Sequence, residues 1–282
     1  KKQDPAFQYD YNKWKRYANS LRMRLAMRLS EVDAVKAKAE FEEAAAGVLL
    51  TAADQTFKVT ERGGWDALTG VMTREWNAQI MSATYRNLTY NLGGISSTNQ
   101  VEAALQASVK PDNYIGLRLQ DHFTTKTNDP FAGYWLDGLP SKVDPRAFKA
   151  FIIPGDFTNP NFNSYPSWDN TAKTTARTLT DGTAAIKTIE AKYTWNGVTS
   201  GDWGVPGSKN NLRAFNGTMP RTSNAFRTSA SSRVFFANWE TYFLVAEGAA
   251  RGWVAPMTAK AAYEAGVKAN LDYWGVGAQS TA

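Results

Sequence analysis

Two stretches of helical periodicity, one near each end of the chain, bracket a long run that glycine and proline interrupt too often for a helix. From 13 to 29, Trp14, Tyr17, Ala18, Leu21, Leu25 and Leu29 recur at intervals of three and four, drawing one apolar stripe. Asp33 is placed to cap a second helix over 34–46, with Ala37, Phe41 and Ala44 on one face and Gly47 as its stop. Near the other end, Trp239, Tyr242, Phe243, Ala246, Ala250 and Trp253 repeat the period, Gly252 stands where a C′ residue belongs, and Pro256 follows. Thr258 is placed to cap a last helix, with Tyr263, Val267, Leu271 and Trp274 as its stripe and Gly275 as its stop.

Each pair makes an αα-hairpin, over 11–47 and over 234–275. Trp14 to Leu21 with Ala37, Phe41 and Ala44 echoes the tetratricopeptide pattern, as does Trp239 to Ala246 with Ala259, Tyr263 and Gly266. In that repeat, small residues let helices cross closely and seat an aromatic knob. The linking segments are longer than the repeat's, so two ordinary helical hairpins fit the same spacing. Trp14, Trp239, Trp253 and Trp274 lie on the stripes and are expected in the core.

Between the hairpins, 75–85 and 99–108 carry weaker helical patterns. Gln120 to Ser232 reads as turns and short strands, with Lys187–Trp195 as one strand candidate. A long irregular stretch rich in Trp, Tyr and Phe argues for a functional excursion and against disorder. The expected fold class is therefore mainly α: tetratricopeptide-like hairpins carrying a loop-rich excursion, 51–232, with a few short strands, in a single domain over 1–282.

Composition removes several chemistries. With no cysteine there is no disulfide framework, thiol nucleophile or zinc ribbon in the chain. One histidine, His122, rules out sites that need two, and its surroundings read as a hydrogen-bonded loop. Phosphate-loop, dinucleotide, nucleophile-elbow and EF-hand motifs do not occur. The net charge of +6 is spread along the chain, so nucleic acid is not an expected partner. No run is long and apolar enough to span a membrane as a helix. Neither a metal nor a cofactor is expected.

Two routes to function remain. Asp144, Asp156, Asp169, Asp181, Glu190 and Asp202 lie in the excursion, and a glycosidase needs two carboxylates at a set separation. Solvated loop acids and turn caps fit the same residues, and no catalytic residue is assigned. The second route is aromatic. Tyr134-Trp135, Phe162 to Asn170, Tyr193 to Asn196 and Gly201 to Gly204 set rings beside Asn, Asp and Gly. A pyranose ring has an apolar C–H face and a hydroxyl rim, so an exposed ring covers the face while Asn and Asp bond the rim. Trp135, Tyr165, Trp168, Trp195 and Trp203 are the candidate sugar-stacking residues. The competing reading is that a loop region without disulfides uses these rings to build its own satellite core.

The hairpins also carry a family resemblance. Tyr11 to Arg28, with Trp14 followed by Ala18-Asn19-Ser20-Leu21 and Arg24-Leu25-Ala26-Met27-Arg28, looks like a helix of the SusD/RagB-like proteins. Val143-Asp144-Pro145-Arg146 is similar to that family's Asp-Pro-Arg. Asn238 to Trp253, followed by Ala262-Tyr263-Glu264-Ala265-Gly266, resembles its late hairpin. The resemblance implies a tetratricopeptide-like lipoprotein of the outer membrane, on the cell surface of Bacteroidetes-type bacteria. Such a protein is a binding protein and not an enzyme. It captures glycans and passes them to a TonB-dependent, SusC-like transporter, and in some branches of the family the ligand is a peptide. It touches the membrane only through a lipid anchor, whose cysteine would lie upstream of Lys1. Family members are longer, so the resemblance makes this a partial domain. The matched motifs are scaffold helices and a turn, and no binding residue carries over from them. A glycoside-active enzyme using loop carboxylates stays open on the residues alone.

Overall fold

A computed structural model describes residues 3–60, 81–91, 93–114, 116–118, 134–135, 137–162, 174–180, 185–195, 211–213, 220–226 and 231–279. The chain opens with α1 (Tyr11–Leu29), α2 (Ala34–Ala45) and β1 (Phe57–Thr60). It continues through α3 (Ala83–Asn91), β2 (Ile95–Ser96), α4 (Ala103–Gln106), β3 (Leu117–Arg118), β4 (Tyr134–Trp135), β5 (Lys142–Val143), α5 (Ala147–Ala150) and β6 (Phe151–Ile152). After β7 (Ala176–Thr180), β8 (Ala185–Glu190), β9 (Asn211–Arg213) and β10 (Arg221–Thr222) come β11 (Ser232–Phe236), α6 (Asn238–Ala250) and α7 (Ala259–Tyr273). The class is mainly helical, with paired helices and short sheets. Two compact units result: Lys1–Gly63 with Ala230–Ala282, and Gly64–Ser229. The segment 51–60, grouped by the sequence reading with the excursion, packs in the helical unit.

In the helical unit the caps are made where the sequence puts them. Asp33 accepts from the Lys36 amide and Thr258 from the Ala261 amide, each satisfying a donor that the first helical turn leaves free. Asp10 does the same for α1, accepting from Asn12 and Lys13. Gly252 takes φ +75° just past α6, the left-handed conformation that closes a helix end at least cost in glycine. Gly47 has a different reason: a Cβ there would stand 2.5 Å from Nδ2 of Asn19, so the glycine makes room for α1.

The core of this unit gathers Met23, Met27, Phe41, Leu50, Phe236 and Val245 from α1, α2, β11, α6 and the segment after α2. The buried face of α1 is Ser20, Met23, Ala26 and Met27, rotated from the expected stripe; Leu25 is 57% exposed. Ser20 belongs on that face because its hydroxyl accepts the buried Leu50 amide at 3.0 Å. The close crossing expected of a tetratricopeptide-like pair is present, with its partners rearranged. Gly248 lies under the Phe41 ring, where a Cβ would come within 2.2 Å, and Gly266 lies under Phe243 rather than Tyr263. Tyr263 is 59% exposed. Strands β1 and β11 pair antiparallel with Lys58 opposite Val234, beside a bulge at Phe57.

The second unit is held by pairing across long sequence distances. β2 pairs with β5, β3 with β4, and β6 with β10, all antiparallel, while β7 lies between β8 and β9. The strand expected over Lys187–Trp195 is in part β8, which ends at Glu190. Its core is Met81, Leu105, Leu139, Val143, Ala147, Ile153 and Trp195. Gln100 ties β2 to β5, donating through Nε2 to the carbonyls of Ile95 and Val143. The Asp-Pro-Arg turn leads into α5: Asp144 accepts from the Arg146 amide and from its guanidinium, both at 2.9 Å. Burial would raise the Asp144 pKa, but these bonds and the Arg146 charge outweigh it and hold the carboxyl below its usual value.

Candidate functional site

The five candidate rings meet different fates. Trp195 is 3% exposed and packs edge-on to Phe148, with centroids 5.0 Å apart. It is a core residue of the second unit, so its ring cannot lie against a sugar on the surface; this corrects the sequence reading. The satellite-core alternative applies to it, because the ring belongs to one buried cluster with Leu139 and Ala147 and packs on Phe148. Its indole Nε1 and the neighbouring Thr194 hydroxyl are buried with no hydrogen-bond partner among the described residues. Trp135 lies in β4 opposite Leu117. Tyr165, Trp168 and Trp203 lie outside the described residues, as do His122, Trp65 and Trp76.

What Trp195 positions is informative. Its amide donates to the Gly138 carbonyl at 2.9 Å, just beyond Trp135. Lys110 donates its amide to the Leu139 carbonyl, and Leu139 donates to Ser108, so 108–110 and 138–139 lie side by side. Gly138 is required there: at φ +78° a Cβ would meet the Lys110 stem at 2.4 Å. This pairing sets Lys110, Tyr114 and Asp137 in one cluster. The Tyr114 hydroxyl donates to Asp137 Oδ1 at 2.5 Å, the Lys110 ammonium lies 5.0 Å from the ring centre, and it is 3.7 Å from Asp137 Oδ2. Desolvation, then the bond to Asp137, push the Tyr114 phenol up to about 12. It therefore stays a protonated donor through the physiological range, with 38% of the residue exposed.

Sequence reasoning passed over Tyr114 because it weighted tryptophan. The available signal was the turn Pro111-Asp112-Asn113 that presents the tyrosine. Phe157 was missed as well; it is 42% exposed and meets Phe162 edge-on at 5.0 Å. An exposed phenol with an ordered hydroxyl, a cation and a carboxylate has the mixed character that binds a polyol: an apolar patch with donors and acceptors around it.

The loop acids that are described serve turns. Asp144 holds Arg146, Asp156 accepts from the Asn159 side chain at 3.1 Å, and Glu190 accepts from the Lys192 amide at 2.8 Å. Asp169, Asp181 and Asp202 lie outside the described residues. Among the described residues no group of three or more His, Cys, Asp or Glu is placed to hold a metal ion, and no helix is long and apolar enough to cross a membrane.

Comparison with known proteins adds what geometry cannot. No functionally curated protein matches the chain. Among solved structures, a SusD homolog from Parabacteroides distasonis is similar at 23% identity and a TM-score of 0.58, over 99% of this chain and 44% of that one. A chitin-binding SusD homolog from Flavobacterium johnsoniae matches at 21% identity and a TM-score of 0.44, over 98% of this chain and 38% of the other. The chain thus spans less than half the length of these relatives, and the first of them supports the fold. The family model described as SusD-like, "Susd and RagB outer membrane lipoprotein", matches residues 1–129 and 190–281, so the chain belongs to that family of outer membrane lipoproteins.

Proposed function

We propose that this chain is part of a cell-surface binding protein that captures oligo- or polysaccharide and delivers it to a TonB-dependent, SusC-like transporter. The observation that carries the reading is membership of the SusD-like family over both helical hairpins. The concentration of rings beside Asn, Asp and Gly in the loop-rich unit supports it. Trp135, Tyr165, Trp168 and Trp203 are the proposed stacking residues, and Tyr114 with Asp137 and Lys110 joins them. Binding, not catalysis, is the proposed activity, with the lipoprotein facing outward from the outer membrane.

Each stacked ring contributes only ~1 kcal/mol, so several must act together to hold a glycan. Affinity electrophoresis and calorimetry against a glycan panel that includes chitin oligosaccharides test the reading. Retardation by at least one glycan, weakened in Trp135→Ala or Trp168→Ala, is the expected result. Binding of peptides with no glycan bound would move the protein to a peptide-binding role. Release of shortened sugars from an intact glycan would make it an enzyme instead. Co-purification with an outer-membrane transporter tests the proposed partner.

A further inference from the structure

The helical unit contains a cleft that the loop-borne site does not use. It encloses about 390 Å³, within the range of small-molecule sites. One wall is the face of α7 at Ala265, Lys268, Ala269 and Asp272, residues spaced to fall on one side of a helix. The small alanines leave the space. Trp239 and Tyr242 from the start of α6, and Tyr273 from the end of α7, supply the aromatic surface. Trp239 is only partly buried, which corrects the expectation that it is a core residue. Its ring stands 4.8 Å from that of Tyr273, tilted by 53°, and Tyr273 is 43% exposed.

The polar groups of the cleft differ in how far they are satisfied. Asn238 gives its amide to the Thr51 carbonyl at 3.2 Å, which leaves its side-chain oxygen as an acceptor. Lys268 and Asp272 neutralise each other at 2.7 Å. Lys58, on β1, also lines the cleft and has no carboxylate partner among the described residues. With two lysines against one aspartate, the cleft carries a net positive charge beside an aromatic wall.

We infer that this cleft binds a sugar unit bearing a carboxylate, as in an acidic glycan, with the ring against Trp239 and Tyr273 and the carboxylate on Lys58. The inference rests on the glycan reading above for its ligand class, and on separate residues for its site. A pyranose presents an apolar face to the rings and hydroxyls to Asn238 and Asp272. Its carboxylate is the group that the uncompensated ammonium of Lys58 would select.

The test is calorimetry on the full chain with trigalacturonate as the acidic probe and maltotriose as its neutral counterpart. Trigalacturonate should bind about tenfold more tightly, with a preference that shrinks as salt is raised. Lys58→Gln should remove that preference while leaving the melting temperature in place, since the side chain is exposed. Tyr273→Ala should weaken both sugars, and circular dichroism checks that it folds. Loss of the trigalacturonate preference in Lys58→Gln, together with weaker binding of both sugars by folded Tyr273→Ala, supports the cleft. Equal affinity for both sugars overturns the inference, as does a preference that survives Lys58→Gln. Loss confined to Trp135→Ala or Trp168→Ala also overturns it, and leaves the loop-borne site standing. Absence of trigalacturonate binding by the folded chain ends the cleft proposal alone, because the glycan panel tests the loop site independently.

Discussion

In the helical unit Phe41 reaches zero exposure by sitting on the bare backbone of Gly248 and against Trp253, whose ring centre is 5.2 Å away. In the loop-rich unit Trp195 reaches 3% exposure among residues delivered by two short helices, one strand and irregular segments. Both are buried aromatics, but the first is enclosed by regular elements with a repeating period. The second is enclosed only after distant segments have paired. The first kind of burial tolerates few substitutions at the crossing point. The second depends on backbone geometry at the turns. The same difference separates the glycines: a helix crossing needs Gly248 for space, whereas the loop unit needs Gly94, at φ +151° and against the Val143 carbonyl, for conformation as well.

The largest effect expected from breaking this contrast is at Phe41. Phe41→Ala should cost about 3–5 kcal/mol, because the rigid helices cannot close the cavity. Hydrogen exchange read by mass spectrometry should then rise in peptides from α1, α2, α6 and α7. An equal rise in peptides over 139–153 would mean that the two cores share one cooperative transition. Gly94→Ala should cost about 1–3 kcal/mol and raise exchange in β2 and β5 first, since the new methyl meets backbone that cannot swing away.

Asp144→Asn should cost about 1–2 kcal/mol near neutral pH, by removing the charge from the Arg146 clamp. The folded carboxyl titrates below its ordinary 3.8. Its contribution is therefore full above that value and is lost as pH falls through the lower, folded pKa. Denaturation curves of variant and wild type should converge in acid; a gap that persists there would place the effect in packing instead. Thr258→Ala should cost about 1 kcal/mol, seen as a lower thermal midpoint and fraying of the first turn of α7. The smallest change is expected at Trp195→Phe, within about 1 kcal/mol. The lost volume is offset by removing an indole N–H that has no partner among the described residues. This variant should also leave glycan binding intact, whereas a loss of binding would return Trp195 to the ligand face.

Much of the helical unit was legible before the structure. The caps at Asp33 and Thr258 and the stop at Gly252 depend on neighbours within a turn or two, and the spacing of Ala37, Phe41 and Ala44 marks the face of α2 that is buried. The face of α1 was not legible in detail, because Ser20 is buried through a bond to Leu50, far along the chain. Trp239 and Tyr263 fit the period and still reach the surface, since a stripe can be wider than the contact it meets. For the site, the loop aromatics announced themselves by type and by turn residues, but nothing local distinguishes Trp195, which is covered, from Tyr114, which is not.

The sequence by itself determined the helical hairpins and their ends, because helix periodicity, capping and small-residue spacing act over a few residues, and it carried the motifs that resemble the family. Only the tertiary structure decided which rings face water, why Asp144 is spent on Arg146, and that Lys58 stands beside Trp239 in a cleft. Burial and electrostatic partnership are properties of segments that meet in space, and no pattern along the chain encodes them singly.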